Sequence, residues 1–464
     1  MMRIHAKDLV RLESFILQKM IETKLPGLSM ALLENNKVIH SRNFGFREVQ
    51  MRLSPTSETL YGLGSITKVF TAVGIMQLCD QGLLSIDDPV GKYFDLFPSD
   101  GSKAVCIKHL LSHSSGIPAL GYSESKMSER WWMDGYPIGS PEDLLTFMQD
   151  APTWSQAIPG ERWFYLNEGY ILLGLIIEQV SGHKYEDYIR DQILMPLGMK
   201  NSFFLRNEVE GISDRATPYL VNREGSLFIG SNLYSQLPAA GGLVSCASDM
   251  VLFLQLFLQD NLVLSPRSLA LMQIPVVAMP AFDACLFTPP YQGPRQTCFF
   301  GLGLQVQTEK FGRNVIGHGG GVMGGTSYMA CIPQDCVGVV LLSNAHGYPM
   351  SQLALAGLAT ILGEDLHKLD FVRLDQWLVR LQGTYRSYLE TMTAEVNHIG
   401  DGLELKIVFK HEDRIVILFP QSFSEFSARF IGMSGGRHFA AEFVVCDLFV
   451  QLIYERYCFR KSLF

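Results

Sequence analysis

The sequence predicts an α+β protein in two parts. An antiparallel sheet is drawn from both ends of residues 1–365, with a helical insertion at about 65–290, and an antiparallel β-barrel follows over 376–464. Three observations predict this. Strand-like runs stand at both ends of the first part while helical periodicity fills its middle, the pattern of one sheet with helices laid on it. Beyond Gly363 the texture changes to short β-like runs separated by turn signals. Finally, 464 residues with 47% hydrophobic and 18% charged side chains make a globular chain of two or three units, neither disordered, collagenous nor coiled-coil.

The elements follow in order. Leu9, Leu12, Phe15, Ile16 and Met20 recur at helical intervals among charged residues, so the chain opens on an amphipathic helix rather than a signal peptide. Leu28 to Leu33 and Lys37 to Gly45 read as two strands joined at Glu34-Asn35-Asn36. Helices are expected at Thr67 to Gln81, ended by Gly82, at Tyr170 to Val180, ended by Ser181-Gly182, and at Asp249 to Leu258. Strands return at Gly303 to Val306, Asn314 to Gly317, Thr326 to Ile332 and Val337 to Ser343, with a helix at Ser351 to Leu362. Residues 366–380 read as a bridge. The tail then shows strands at Leu403 to Phe409, Arg414 to Phe419, Phe439 to Val445 and Leu448 to Tyr454.

Composition narrows the partners. A net charge of −8 with no run of Lys or Arg offers nothing to a phosphate backbone or an anionic membrane, so neither nucleic acid nor membrane is expected as a partner. Mean hydropathy is +0.14, yet apolar runs such as Val337 to Leu342 fall far short of the ~18 residues of a membrane span. The excess apolar surface is expected in cores and in contacts between subunits of a homo-oligomer. Nine scattered cysteines without a CxxC pair, and no Asn-x-Ser/Thr sequon, fit a reducing, cytoplasmic compartment.

One segment carries chemistry. In Tyr61-Gly-Leu-Gly-Ser65-Ile-Thr-Lys68 a glycine-rich turn opens a helix, and residues i and i+3 share a helical face, so Lys68 comes within reach of Ser65. The first helical turn also offers free N–H groups to a developing oxyanion. A lysine base needs a depressed pKa, which burial near Leu60 and Phe70 would supply. Alone, the same spacing is better read as a serine N-cap followed by a solvated lysine. Two further segments change that balance: Tyr165-Leu-Asn167 just before a helix, and His318-Gly319-Gly320-Gly321 at the end of a strand, where glycines admit a substrate backbone.

Together these three motifs resemble those of the serine β-lactamase and penicillin-binding-protein superfamily. The likeness runs on through Leu110-Leu-Ser-His113-Ser-Ser-Gly116, Pro196-Leu-Gly-Met199 and Ala240-Gly-Gly-Leu-Val-Ser245, and so covers about residues 7–363. Tyr-x-Asn and His-x-Gly resemble the peptidase and esterase branch called CubicO, since drug-hydrolysing β-lactamases carry Lys-Thr-Gly where this chain has His318-Gly319-Gly320. The tail from Leu381 to Tyr457 resembles the lipocalin-like domain of an archaeal self-compartmentalising serine peptidase.

The resemblance implies a β-lactamase/transpeptidase-like sheet with a helical subdomain and a lipocalin-like barrel. It implies an acyl-enzyme on Ser65, Lys68 as base or relay, and Tyr165 shuttling the proton to the leaving amine. Asn167 would orient the lysine or the substrate amide, and His318 would hydrogen-bond Tyr165 or the substrate. The backbone N–H groups of Ser65 and Gly321 would form the oxyanion hole, with Gly320 beside them. No metal or cofactor is implied. The expected substrate is a short peptide or another small acyl compound, with a preference for D-residues near the amino end as the finer form; an esterase or weak β-lactamase uses the same residues. A non-catalytic protein whose barrel binds an apolar ligand is the alternative from another class.

Other signals are read as structural. His109 and His113 have the i, i+4 spacing of a metal pair but lack the Glu of H-E-x-x-H and a third ligand. Gly432-Met-Ser434-Gly-Gly436 matches the nucleophile elbow G-x-S-x-G, yet the next residues read as a strand, so a hairpin turn is expected there. Met127 to Gly139, with Trp131-Trp132, reads as a lid, a substrate wall or a plain exposed loop.

Overall fold

A computed structural model describes residues 4–99, 101, 104–122, 141–204, 206–222, 226–230, 237–259, 263–279, 298–346, 350–400, 402–408, 413–434 and 437–463. The segment 127–139, and most of the loops that border it, lie outside these. The chain divides into two compact units, one running to Pro280 and resuming over Gln296–Gly363, the other holding Glu364–Phe464. Each is described by itself.

The first unit is built on an eight-stranded antiparallel sheet. Its strands are β1 (Gly27–Glu34), β2 (Lys37–Gly45), β3 (Val277–Ala278), β4 (Cys298–Phe300), β5 (Gln305–Lys310), β6 (Arg313–Val322), β7 (Gly325–Ile332) and β8 (Val337–Ser343). Their order is β2-β1-β8-β7-β6-β5-β4-β3, so the amino-terminal hairpin joins a sheet otherwise made from the end of the unit, as the sequence predicts. β1 and β8 are buried along almost their whole length, which is why both read as unbroken apolar runs rather than alternating ones. Helix α5 (Met350–Leu362) lies on β7 and β8, and α1 (Ala6–Thr23) packs on α5 through Leu12, Ile16 and Met20.

Between the two sheet halves run α2 (Thr67–Asp80), α3 (Asn167–Ser181) and α4 (Ala247–Gln255). Helix α2 departs from the amphipathic expectation: every residue from Thr67 to Leu78 is buried, the mark of a helix at the centre of a core. It stacks Phe70 on Phe253 of α4, with ring centroids 3.6 Å apart.

Two strands of this sheet differ from expectation by more than a residue. The strand expected at Gly303 begins two residues later, because Gly303 takes a positive φ of 86° to pass close over Ala72 of α2. The strand expected to end at Gly317 continues through the glycines to Val322, with Gly319, Gly320 and Gly321 paired to Tyr328, Ser327 and Thr326. Here the glycines do not bend the chain. They let another backbone approach its face.

The second unit is a closed antiparallel barrel of eight strands, β9 (Gly383–Arg386), β10 (Thr393–Ile399), β11 (Gly402–Val408), β12 (Asp413–Phe423), β13 (Ser427–Ser434), β14 (Arg437–Val445), β15 (Phe449–Tyr454) and β16 (Tyr457–Ser462). Closure leaves no free edge. Inward side chains alternate along the strands, and Tyr385, Leu405, Phe430, Phe443, Leu452 and Tyr454 belong to one buried apolar cluster of the barrel. The stretch read as a bridge contains a helix, α6 (Asp370–Leu381), whose Leu374, Trp377, Leu378 and Leu381 join that core. Trp377 also donates its indole N–H to the Ser424 carbonyl at 3.1 Å. Gly432, Met433 and Ser434 of the G-x-S-x-G match lie in strand β13, with Ser434 paired to Arg437 of β14, and its last two glycines lie outside the described residues. Among the described residues no helix is long and apolar enough to cross a membrane.

Candidate active site

Ser65 stands on a short 3-10 turn, Gly64–Ile66, that runs directly into α2. Gly64 makes the turn with φ of 55°, a conformation that favours glycine. One turn on, Lys68 is buried with Nζ 3.1 Å from Ser65 Oγ and 2.6 Å from the Ala240 carbonyl oxygen, to which it donates. Its Nζ lies over the faces of Tyr165 and Tyr170, 5.0 and 5.6 Å from the ring centroids. The solvated-lysine reading of the motif therefore does not describe this site.

The partner carbonyl comes from a helical turn, Pro238–Gly241, which is stitched to α2 at several points. Thr71 Oγ1 donates to the Ala239 carbonyl, and Thr67 Oγ1 accepts the Leu243 N–H. Nothing in the sequence marks Ala240 as a site residue, since a backbone carbonyl has no side-chain signature. It lies within the Ala240–Ser245 stretch that the family resemblance had marked.

Tyr165 stands beside Ser65, and burial pushes its phenol well above the usual range, against a smaller opposing pull from the Ser65 side chain. Tyr170 forms a wall, its hydroxyl donating to the Leu111 carbonyl at 2.7 Å. Asn167, partly buried, is the first residue of α3, two residues beyond Tyr165.

Strand β6 closes the site. A Cβ on Gly64 would stand 2.6 to 2.8 Å from the Gly321 backbone, so Gly321 lies directly against the turn that carries Ser65. Gly320 packs its Cα on the Leu63 carbonyl, which Ser327 Oγ also meets as a donor at 2.6 Å. Gly320 thus lets the strand approach the turn, whereas Gly321 is the glycine next to Ser65. On its outer side Gly321 faces the exposed ring of His346, a residue the sequence reading did not single out.

His318 is buried on β6 beside Phe300. Its Nδ1 lies 2.6 Å from the Gly319 carbonyl, so the proton sits on Nδ1, and Nε2 has no hydrogen-bond partner among the described residues. The expected bond from His318 to Tyr165 is not made. Burial, with the Lys68 charge nearby, pushes the His318 imidazole down to about 3, which keeps it neutral. His109 and His113 do not form a metal pair: His109 Nδ1 accepts the Cys106 N–H at 3.0 Å, and His113 Nδ1 accepts the Leu166 N–H at 3.0 Å. His113 nevertheless enters the site, because its ring lies 4.2 Å from that of Tyr165.

Residues 12–362 match the family model described as Beta-lactamase. The chain belongs to the beta-lactamase family. Members of this family are in general serine hydrolases, and the Ser65, Lys68 and Tyr165 cluster lies inside the matched region. Residues 366–460 match a second model, the Pab87 octamerisation domain. This beta-lactamase family chain is similar over 98% of its length to all of the octameric penicillin-binding protein homologue from Pyrococcus abyssi, at 38% identity and a TM-score of 0.87. It is 26% identical over 323 residues to penicillin-binding protein 4* of Bacillus subtilis, covering 67% of this chain and 66% of that one. It is 30% identical over 193 residues to protein flp of Staphylococcus aureus, covering 41% and 37%. The chain therefore matches less than two thirds of the length of these two curated relatives.

Proposed function

We propose that this chain is a serine peptidase that forms an acyl-enzyme on Ser65 and acts on short peptides or related small amides. The observation that carries the proposal is the approach of Lys68 Nζ to Ser65 Oγ at 3.1 Å, over the Tyr165 ring, with the Gly321 backbone against the same turn.

In this reading Ser65 Oγ attacks the scissile carbonyl and its proton passes to the Lys68 amine. Tyr165 is the poorer first base, because burial holds its phenol protonated. That same proton suits it to protonate the leaving amine, after which Tyr165 takes a proton back as water attacks the acyl-enzyme. Backbone N–H groups of Ser65 and Gly321 receive the oxyanion, and the first turn of α2 adds the positive end of its dipole. Asn167, at the start of α3, orients the substrate amide. The Ala240 carbonyl fixes the Lys68 side chain along its approach to Ser65.

A β-lactamase role is less well supported. The third motif carries a neutral histidine in place of a fixed cation for a drug carboxylate. The octameric homologue and the octamerisation-domain match support a homo-oligomer.

The test compares wild type with Ser65→Ala on D- and L-aminoacyl amides, short peptides, nitrophenyl esters and nitrocefin, with a fluorophosphonate probe reporting on Ser65. Labelling at Ser65 and preferential amide cleavage support the proposal. Ester cleavage alone replaces the peptidase reading by an esterase, and an active Ser65→Ala protein removes both.

A further inference from the structure

We infer that His113 is the positioning residue for Tyr165, holding the phenol where it can serve as proton donor. Three contacts carry this. The His113 carbonyl accepts the Phe164 N–H at 2.8 Å, and its Nδ1 accepts the Leu166 N–H at 3.0 Å, so one residue grips the backbone on both sides of Tyr165. Its ring lies against the Tyr165 ring, with centroids 4.2 Å apart and planes 34° from parallel. The same imidazole is packed among Trp163, Tyr170 and Phe300, which leaves it little room to turn.

The backbone is held in an unfavourable conformation to do this. His113 has φ of 55°, the left-handed region that costs a residue with a Cβ free energy and that persists where the surroundings impose it. That conformation points both the carbonyl and the ring at the segment carrying Tyr165. Accepting the Leu166 N–H fixes the proton on Nε2, and this buried N–H has no partner among the described residues. The grip on Leu166 is thus made at the expense of the other nitrogen, whereas a histidine that served packing alone would be better satisfied elsewhere.

The inference rests on the reading of Tyr165 as donor to the leaving group, and the leaving group supplies the test. A nitrophenolate departs without a proton, whereas an anilide nitrogen needs one. Kinetics are measured on a p-nitrophenyl ester and a p-nitroanilide of the same acyl group, using the full chain. His113→Phe keeps a ring and loses the acceptor. His113→Asn places Oδ1 where Nδ1 was and tolerates the positive φ. His113→Gly takes that φ freely and repeats the test should the Phe variant fail to fold.

Loss of the acceptor is expected to lower kcat/KM on the anilide, which reports acylation and not the shared deacylation step, about 100-fold, and kcat/KM on the ester less than about tenfold. His113→Asn is expected to recover the anilide to within about tenfold. In a Tyr165→Phe background, removing His113 is expected to add almost nothing, because the two act as a unit. Equal losses on ester and anilide, an undiminished anilide rate, or a full further loss in the Tyr165→Phe background would each overturn the inference. A Ser65→Ala protein that turns over both substrates would instead show that the underlying reading of the site is wrong.

Discussion

Gly320 lies so close to Leu63 that a Cβ built on it would overlap the Leu63 carbonyl oxygen and stand 2.5 Å from Ser327 Oγ. Two residues later in the chain Leu63 becomes Ser65, so this contact sets the distance between strand β6 and the nucleophile turn. Gly320→Ala is expected to push the strand away, costing about 1 to 3 kcal/mol of stability and most of the activity. At Gly321 an added Cβ meets only the His346 ring, at 3.2 Å and beyond, so Gly321→Ala is expected to be the milder change. Thermal melts and turnover of the two variants, side by side, check the contrast.

Lys68 supports a second prediction. Lys68→Met keeps the volume of the stem and removes the amine between Ser65 Oγ and the Ala240 carbonyl. Turnover is expected to fall at least about 100-fold through loss of the base. The stability change should stay within a few kcal/mol, since a buried polar amine is removed while a buried carbonyl loses its donor. Steady-state kinetics with a parallel denaturation curve measure both.

Acid should destabilise the chain through its buried histidines. His318 is pushed from 6.5 down to about 3, and burial holds His113 well below its usual value. Below about pH 6.5 the unfolded chain takes up a proton at each while the folded chain does not. Stability is therefore fully present above that pH and is lost as pH falls toward 3, at about 1.4 kcal/mol per pH unit for His318, with His113 acting in the same direction. Melting temperatures between pH 7 and pH 4 should fall accordingly, and His318→Gln should flatten the slope. A flat wild-type profile would contradict this.

The motif positions were legible because Ser-x-x-Lys needs only the helical period to bring its two side chains together. Tyr165 and His318 were legible only beside it. What stayed hidden depends on the backbone: the Ala240 carbonyl has no side chain to mark it, and the grip of His113 follows from a positive φ that one sequence does not display. The helix Asp370–Leu381 was missed although Phe371, Leu374, Leu378 and Leu381 carry its period, because the texture around it is that of the barrel. Four barrel strands also escaped, among them Gly383–Arg386, only four residues long, and Ser427–Ser434, whose glycine and serine drew attention to an elbow motif.

Assembly gives a fourth prediction. On barrel strand β12 the outward residues Ile415, Ile417 and Phe419 form an exposed apolar row, and Ile431 pairs with Phe419 from β13. Sedimentation of the full chain is expected to report a multi-subunit particle, and Phe419→Asp to shift it toward smaller species without changing the far-UV spectrum. A wild-type chain that sediments as a monomer would contradict the homo-oligomer reading.

The most direct test of the central claim is intact-mass and peptide mass spectrometry of the chain quenched during turnover of a short peptide amide. An acyl adduct is expected on Ser65 and is lost in Ser65→Ala. Turnover without any adduct, or an adduct on a different residue, would contradict the account.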